Sequence, residues 1–246
     1  MSEVQSLARG IHILNILFDS EDSVSVTEVA RILGIDKSSA SRLIQTLAKY
    51  EYVQRENGSR RYVIGHRITR MSWELINRMP IRDQAKPFLF DLMNQTGECS
   101  HTAVYSQGQA LVINDVEVNS SLRVIGGIGR KIPLHCTAVG KSLLAFSHVS
   151  IPKELPSRTS HTITVRTDLL EHLQYIREQG YAVDYEENDY GVCCIAAPVY
   201  DYTRKAIASI GISGPTVRMF PERVPELGQM VVEAGKALSA HLGKQR

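Results

Sequence analysis

Residues 24–65, VSVTEVARILGIDKSSASRLIQTLAKYEYVQRENGSRRYVIG, constrain the fold more than any other stretch of the chain. Two helical periods separated by a glycine run directly into a β-hairpin. That order is the layout of a winged helix-turn-helix, which sets one helix into the major groove of double-stranded DNA. In the first period Thr27 is placed to cap, Val29, Ala30, Ile32 and Leu33 share an inner face, and Gly34 is the stop. In the second, Asp36 or Ser38 caps a helix running to about Tyr50, with Ala40, Leu43, Ile44 and Leu47 inward. Asn57-Gly58 then marks a hairpin, because a type I′ turn needs two positive φ angles and this dipeptide tolerates both.

The outward face of the second helix carries Lys37, Ser38, Ser39, Ser41, Arg42 and Gln45, which are small, polar or cationic, with no acid among them. Hydroxyls and a helix N-terminus hold phosphates, and Arg42 and Gln45 are long enough to reach base edges. Arg55, Arg60 and Arg61 make the hairpin basic, suited to phosphates or to the minor groove. A Ser-rich, Arg-bearing helix alone is as often the wet face of a small bundle. The ordered set of helix, glycine, helix and basic hairpin is what points to DNA. Asp36 reads as a cap and not as a contact.

At 246 residues the chain is long enough for about two domains. A net charge of +2 permits a nucleic-acid partner without demanding one, so the clustering of cations decides. Hydrophobic content of 43% and charged content of 22% are those of an ordinary globular protein. No apolar run approaches the roughly 20 residues of a membrane span. The start, MSEVQSLARG, lacks a basic-then-apolar leader, and Cys99, Cys136, Cys193 and Cys194 do not form a disulfide framework. The expectation is a cytoplasmic protein with no membrane partner and no cofactor.

Periodicity organises the rest. Residues 7–18 read as a helix, and 66–79 as a linker helix with Ile68, Met71, Leu75 and Ile76 on one side, interrupted by Pro80. A helix over Ile81–Gln95 ends at Gly97. Candidate strands are 99–106, 110–117, 120–126, 181–185, 192–200 and 205–213; candidate helices are 137–146, 168–179 and 221–242. Gly126, Gly127 and Gly129 mark a flexible loop. The class is α+β, divided as residues 1–66 for DNA binding, 67–80 as linker helix and 81–246 as the second domain.

Several catalytic readings fail on spacing. Gly140-Lys141-Ser142 imitates the end of a phosphate-binding P-loop, but His135 stands where that loop needs a glycine. Gly211-Ile212-Ser213-Gly214-Pro215 breaks a nucleophile elbow at its last position. His101, His135, Cys136 and Cys194 match no zinc pattern, and Cys193 and Cys194 point to opposite faces of a strand. Asp184 with His135 is the nearest approach to an acid–base pair. No enzyme is expected.

Two long segments resemble the IclR family of bacterial transcriptional regulators. They are residues 132–145, IPLHCTAVGKSLLA, and 180–199, GYAVDYEENDYGVCCIAAPV; the start, SLARGIHIL at 6–14, fits as well. The resemblance covers essentially the whole chain. It implies an N-terminal winged helix-turn-helix and a C-terminal GAF-like α/β effector-binding domain. The implied partners are double-stranded operator DNA, a small-molecule carboxylic acid effector, and further copies of the chain in a homodimer or homotetramer. The implied function is a ligand-responsive regulator, a repressor of a catabolic operon that senses a small organic or sugar acid. The alternative is an activator of an aromatic-acid catabolic operon.

The resemblance also implies a pocket. Its loop wall is Val124, Ile132, Ala138 and Val139, with the N–H groups of Ala138 and Val139 opening a helix that favours an anion. Its floor is Asp184, Val192 and Cys194, and a later strand adds Gly211 and Ser213. Several relatives carry serine at the position of Gly211, so the resemblance implies a roomier pocket here and a ligand larger than a two-carbon acid, such as a sugar acid. Each residue has a plainer role open to it. Val124, Ile132 and Val192 suit a core, Cys194 a small hydrophobe, and Asp184 a turn cap.

Overall fold

The computed structural model describes residues 3–77, 80–124 and 126–244. They form two compact units, residues 1–78 and 79–246. The first runs α1 (Gln5–Asp19), β1 (Val24–Ser25), α2 (Val26–Leu33), α3 (Lys37–Lys49), β2 (Val53–Arg55), β3 (Arg61–Ile64) and α4 (His66–Asn77). An antiparallel sheet, in the order β1-β3-β2, closes over a core of Ile13, Leu17, Val24, Val29, Ala30, Ala40, Ile44 and Val53. This is the winged helix-turn-helix that the pattern of 24–65 dictates.

Local chemistry sets the helix ends. Ser25, not Thr27, caps α2. Its hydroxyl accepts the Glu28 N–H at 3.3 Å, while Glu28 Oε2 accepts the Ser25 N–H at 2.7 Å, a reciprocal box that Thr27 has no partner to form. Gly34 ends α2 in the left-handed region, φ 63°, where a side chain would be strained. Ile32, expected inward, is 57% exposed. The hairpin turn is not type I′: Gly58 has φ 75°, but Asn57 is not in the positive-φ region. The Ser59 N–H closes the turn onto Glu56 O at 3.2 Å.

The second unit runs α5 (Pro80–Thr96), β4 (Cys99–Ser106), β5 (Gln109–Val116), β6 (Lys131–Ile132), α6 (Ala138–Phe146), α7 (Arg166–Gln179), β7 (Ala182–Tyr185), β8 (Val192–Tyr200), β9 (Ala206–Pro215) and α8 (Val224–Lys244). Its six strands are antiparallel, in the order β6-β5-β4-β9-β8-β7. Alternation along β8 and β9 sends Cys193, Ile195, Ala197, Ile210 and Ile212 into one core with α5 and α8. Ala182, Ala196 and Cys194 go to the other, with α6 and α7. Cys193 and Cys194 therefore face opposite ways, as their adjacency requires.

The class is α+β, with a GAF-like α/β domain after the winged helix-turn-helix. One expected strand is absent: the described residues of 120–126 form no ladder. Ser120 N–H bonds back to Val118 O at 3.0 Å and Arg123 Nε to Glu117 Oε2 at 2.9 Å, so polar groups close the segment on itself. A strand too short to show periodicity, β6, pairs with β5 instead, Ala110 opposite Ile132. The join of the linker helix to Pro80 falls on residues 78–79, outside the described residues. No described helix is long and apolar enough to cross a membrane.

Candidate functional site

The candidate nucleic-acid surface begins at the α3 cap. Asp36 Oδ1 accepts the Ser39 N–H at 2.8 Å and the Ser38 hydroxyl at 2.5 Å. Those two bonds hold its carboxyl well below the usual carboxylate range. The Ser38 hydroxyl is thus engaged by the cap. Lys37, Arg42 and Gln45 are exposed, while Ser39 and Ser41 are half-buried. Arg42 Nη2 meets Ser39 Oγ, and Gln45 Nε2 meets Ser41 Oγ, each at a long 3.4 Å that leaves both side chains able to extend.

The wing arginines divide. Arg60 is exposed, and Arg55 is exposed with its Nε on Ser59 O at 2.7 Å. Arg61 is engaged within the unit: its Nε donates to Ser23 O at 2.8 Å, and its Nη2 pairs with Glu28 Oε2 at 3.1 Å. It ties the wing to the start of α2, a fixed role that competes with a phosphate contact.

The second unit holds a cavity of about 80 Å³. Val124, Ile132, Ala138, Val139, Asp184, Val192 and Cys194 all line it. Gly211 and Ser213 do not. Both are buried in β9 on the same sheet face, Gly211 between His101 and Ala196, and Ser213 beside Cys194. A methyl at Gly211 would lie 2.4 Å from Ile195 O and 2.9 Å from Ala196 Cβ. The missing side chain's space is therefore filled by the neighbouring strand and adds nothing to the cavity. The expectation of a roomier pocket is corrected.

One wall is a helix start. Thr137 caps α6 by accepting the Gly140 N–H at 3.2 Å, and the Lys141 N–H bonds to Thr137 O at 2.8 Å. Helix geometry leaves the earlier N–H groups, those of Ala138 and Val139, outside the intrahelical ladder at the cavity. Arg130 lines the cavity as well and is exposed. The opposite wall is Asp184 and Asn188. Asp184 is buried, and desolvation raises its carboxyl to about 7; Lys141 opposes the rise and Glu187 adds to it. Burial pushes the His101 imidazole down to about 4 and the Cys194 thiol well up, so both are uncharged at neutral pH. The set of His101, His135, Cys136 and Cys194 does not converge: His135 Nε2 lies 3.0 Å from Pro156 O, and Cys136 Sγ meets Asn188 Oδ1 at 3.7 Å. No group of three or more His, Cys, Asp or Glu able to hold a metal ion occurs among the described residues.

Comparison with known proteins matches both units. The family described as bacterial transcriptional regulator IclR C-terminal matches residues 73–240, and the IclR helix-turn-helix domain matches residues 6–57. The chain is 32% identical over 252 residues to the transcriptional repressor IclR of Escherichia coli (strain K12), covering 99% of this chain and 92% of that one. The chain belongs to the IclR family of bacterial transcriptional regulators. The crystal structure of Thermotoga maritima IclR superposes with TM-score 0.82 at 30% identity, covering 98% of this chain and 100% of that one. An IclR homolog complexed with 4-hydroxybenzoate, from Microbacterium hydrocarbonoxydans, gives TM-score 0.80 over 96% of this chain and 98% of that one. At its 19% identity that likeness is one of fold.

Sequence reasoning missed part of the lining of this IclR-family cavity: Val112, Gly126, Gly127, Arg130, Thr137, Asn188 and Asp189. Arg130 carried a usable signal, a cation directly after the glycine loop and before the first family segment. Asn188 and Asp189 lie inside the second family segment, four and five residues beyond Asp184, on the turn that Asp184 builds. His101, weighed in the sequence only as one of a zinc set near the pocket, does line the cavity, where the β4–β9 pairing brings it.

Proposed function

We propose that this IclR-family chain is a ligand-responsive repressor of a catabolic operon, and that the cavity of the second unit receives a small carboxylic acid. The observation that carries this is the composition of the cavity. Free N–H groups at the start of α6 and the Arg130 guanidinium favour a carboxylate. Asp184 and Asn188 supply hydrogen-bond partners for a second polar group, and valines cover the rest. Size narrows the class. An apolar cavity of ~150 Å³ binds benzene; this one is about 80 Å³. An acid of a few carbons fits better than a six-carbon sugar acid.

The remainder of the reading follows from the DNA-facing residues. Lys37, Arg42 and Gln45 read the operator, while Arg55 and Arg60 hold the wing on phosphates. Two or four copies bind paired half-sites, and effector shifts the population between arrangements with different half-site spacing. The protein performs no turnover of the acid. A thermal-shift screen against acetate, pyruvate, succinate, gluconate and 4-hydroxybenzoate tests the cavity. A specific acid stabilises by about 2.7 kcal/mol at 100-fold excess over Kd, and the shift disappears in Asp184→Ala. A stabilising acid whose shift survives Asp184→Ala binds elsewhere and contradicts the assignment.

A further inference from the structure

Lys141 is the bulkiest fully buried side chain among the described residues, and it does not line the cavity. A buried ammonium persists only when it is paired. Its Nζ donates to Glu187 Oε1 and lies 3.2 Å from His172 Nε2. Burial and the ammonium itself push His172 down to about 4, so the imidazole is neutral and accepts.

The position of this pair matters more than its energy. Lys141 sits one turn beyond Ala138 on α6, the helix whose start walls the cavity. Glu187 sits on the turn after β7, between Asp184 and Asn188, which wall it from the other side. Asp184 Oδ1 accepts the Glu187 N–H at 2.8 Å and the Asn188 N–H at 3.3 Å, while Thr159 and Thr162 hydroxyls hold the Glu186 and Glu187 carbonyls, each at 2.6 Å. The ion pair therefore bridges the two walls from behind. The buried ammonium is in contact with Glu187 and acts on the buried Asp184 carboxyl through space, and Glu187 Oε2 is buried with no hydrogen-bond partner. Asp184 is left as the carboxylate whose charge the pairing does not fix.

We propose that Lys141 and Glu187 are positioning residues for the effector: from behind the cavity they set the charge on Asp184, and that charge decides whether this wall receives a carboxylate or a hydroxyl. The proposal rests on the cavity being the effector site. Ionised Asp184 accepts from a hydroxyl. Protonated Asp184, having taken one proton from solvent, donates its O–H to an effector carboxylate. Lys141 favours the first state and Glu187 the second.

The other groups around Asp184 leave that balance to the pair. Cys194 faces it across the β7–β8 ladder, and Cys136 approaches from the segment before α6; burial pushes the first well up and the second to about 12. Cys193, behind β8, is likewise pushed up to about 12. His101, across the cavity on β4, is neutral. Arg130 and Asp189 also line the cavity, one of each sign, and both are exposed to solvent screening.

The test is a carboxyl ¹³C NMR titration of the full chain, with the Asp184 resonance identified by its loss in Asp184→Asn. The wild type should titrate near neutrality. Lys141→Met should move the midpoint up and Glu187→Gln should move it down, each by about one pH unit or more. Lys141→Arg keeps the charge and should leave the midpoint in place, and Glu187→Gln carries the test alone if Lys141→Met fails to fold. Midpoints that stay fixed, or move the same way in both charge-removing variants, would overturn the proposal and leave a purely structural ion pair. Opposed shifts with none of the screened acids stabilising the protein would instead contradict the effector site and leave the charge-setting role standing.

Discussion

Asp184 Oδ1 accepts the Glu187 backbone N–H at 2.8 Å, so one carboxylate both builds the turn after β7 and faces the cavity. Asn can accept the same bond but cannot titrate, which separates the two roles. Unfolded, this carboxyl ionises near 3.8; folded, it keeps its proton to about 7. Between those values the native state binds the extra proton, so the contribution of Asp184 to stability falls as pH rises. The slope approaches about 1.4 kcal/mol per pH unit for one proton. Urea unfolding of wild type and Asp184→Asn at pH 5, 6 and 8 checks this. The wild type should lose stability relative to the variant by more than about 1 kcal/mol across that range; a constant difference contradicts it.

Arg42 and Arg61 are both arginines of the reading unit with different expected fates. Arg42→Ala should weaken binding to an operator duplex by roughly tenfold or more and leave the unfolding midpoint in place. Arg61→Ala removes the tie to Ser23 O and Glu28, both partners partly exposed, and should lower the unfolding midpoint. Gel-shift titration and thermal unfolding of both variants give the two readouts. Equal stability losses would contradict the division of roles.

Asp36→Ala removes the α3 cap and the Ser38 hydroxyl's acceptor together. The expected outcome is a lower unfolding midpoint than wild type, read by chemical denaturation. A variant as stable as wild type would show that Asp36 does not cap in solution.

Gly211→Ser tests what the cavity does not contain. The added Cβ meets Ile195 O at 2.4 Å, so the substitution should destabilise by about 1–3 kcal/mol through overpacking. It should leave acid affinity unchanged. A variant that keeps its stability and changes its ligand preference would return Gly211 to the pocket.

The features legible in the sequence are those whose partners lie nearby along the chain. Gly34 ends α2, Asp36 caps α3, and Cys193 and Cys194 split between faces, because each depends on a neighbour within a few residues. Ser25 and Thr27 are both good caps; only the Glu28 side chain, reaching back to Ser25, decides between them. The loop and floor of the cavity came from the family segments, and the cavity lining contains them. What stayed hidden is set across long separations: Arg61 on Ser23, His101 beside Gly211, and the wall of Ile195 and Ala196 that fills the space at Gly211. Lys141 ran against the ordinary expectation for lysine, since charged residues are buried only when paired and its partner Glu187 lies far along the chain.

The most direct test of a DNA reader governed by a cavity in its second unit is one titration series. An operator duplex obtained by in vitro selection is titrated with wild type and Val192→Phe, with and without the acid that gives the largest thermal shift. Val192 lines the cavity, and phenylalanine there occupies space the acid needs. The account predicts that the acid changes wild-type operator affinity by about fivefold or more, while Val192→Phe binds the operator as wild type does and ignores the acid. An acid response that survives Val192→Phe, or an operator affinity the acid never changes, would contradict it.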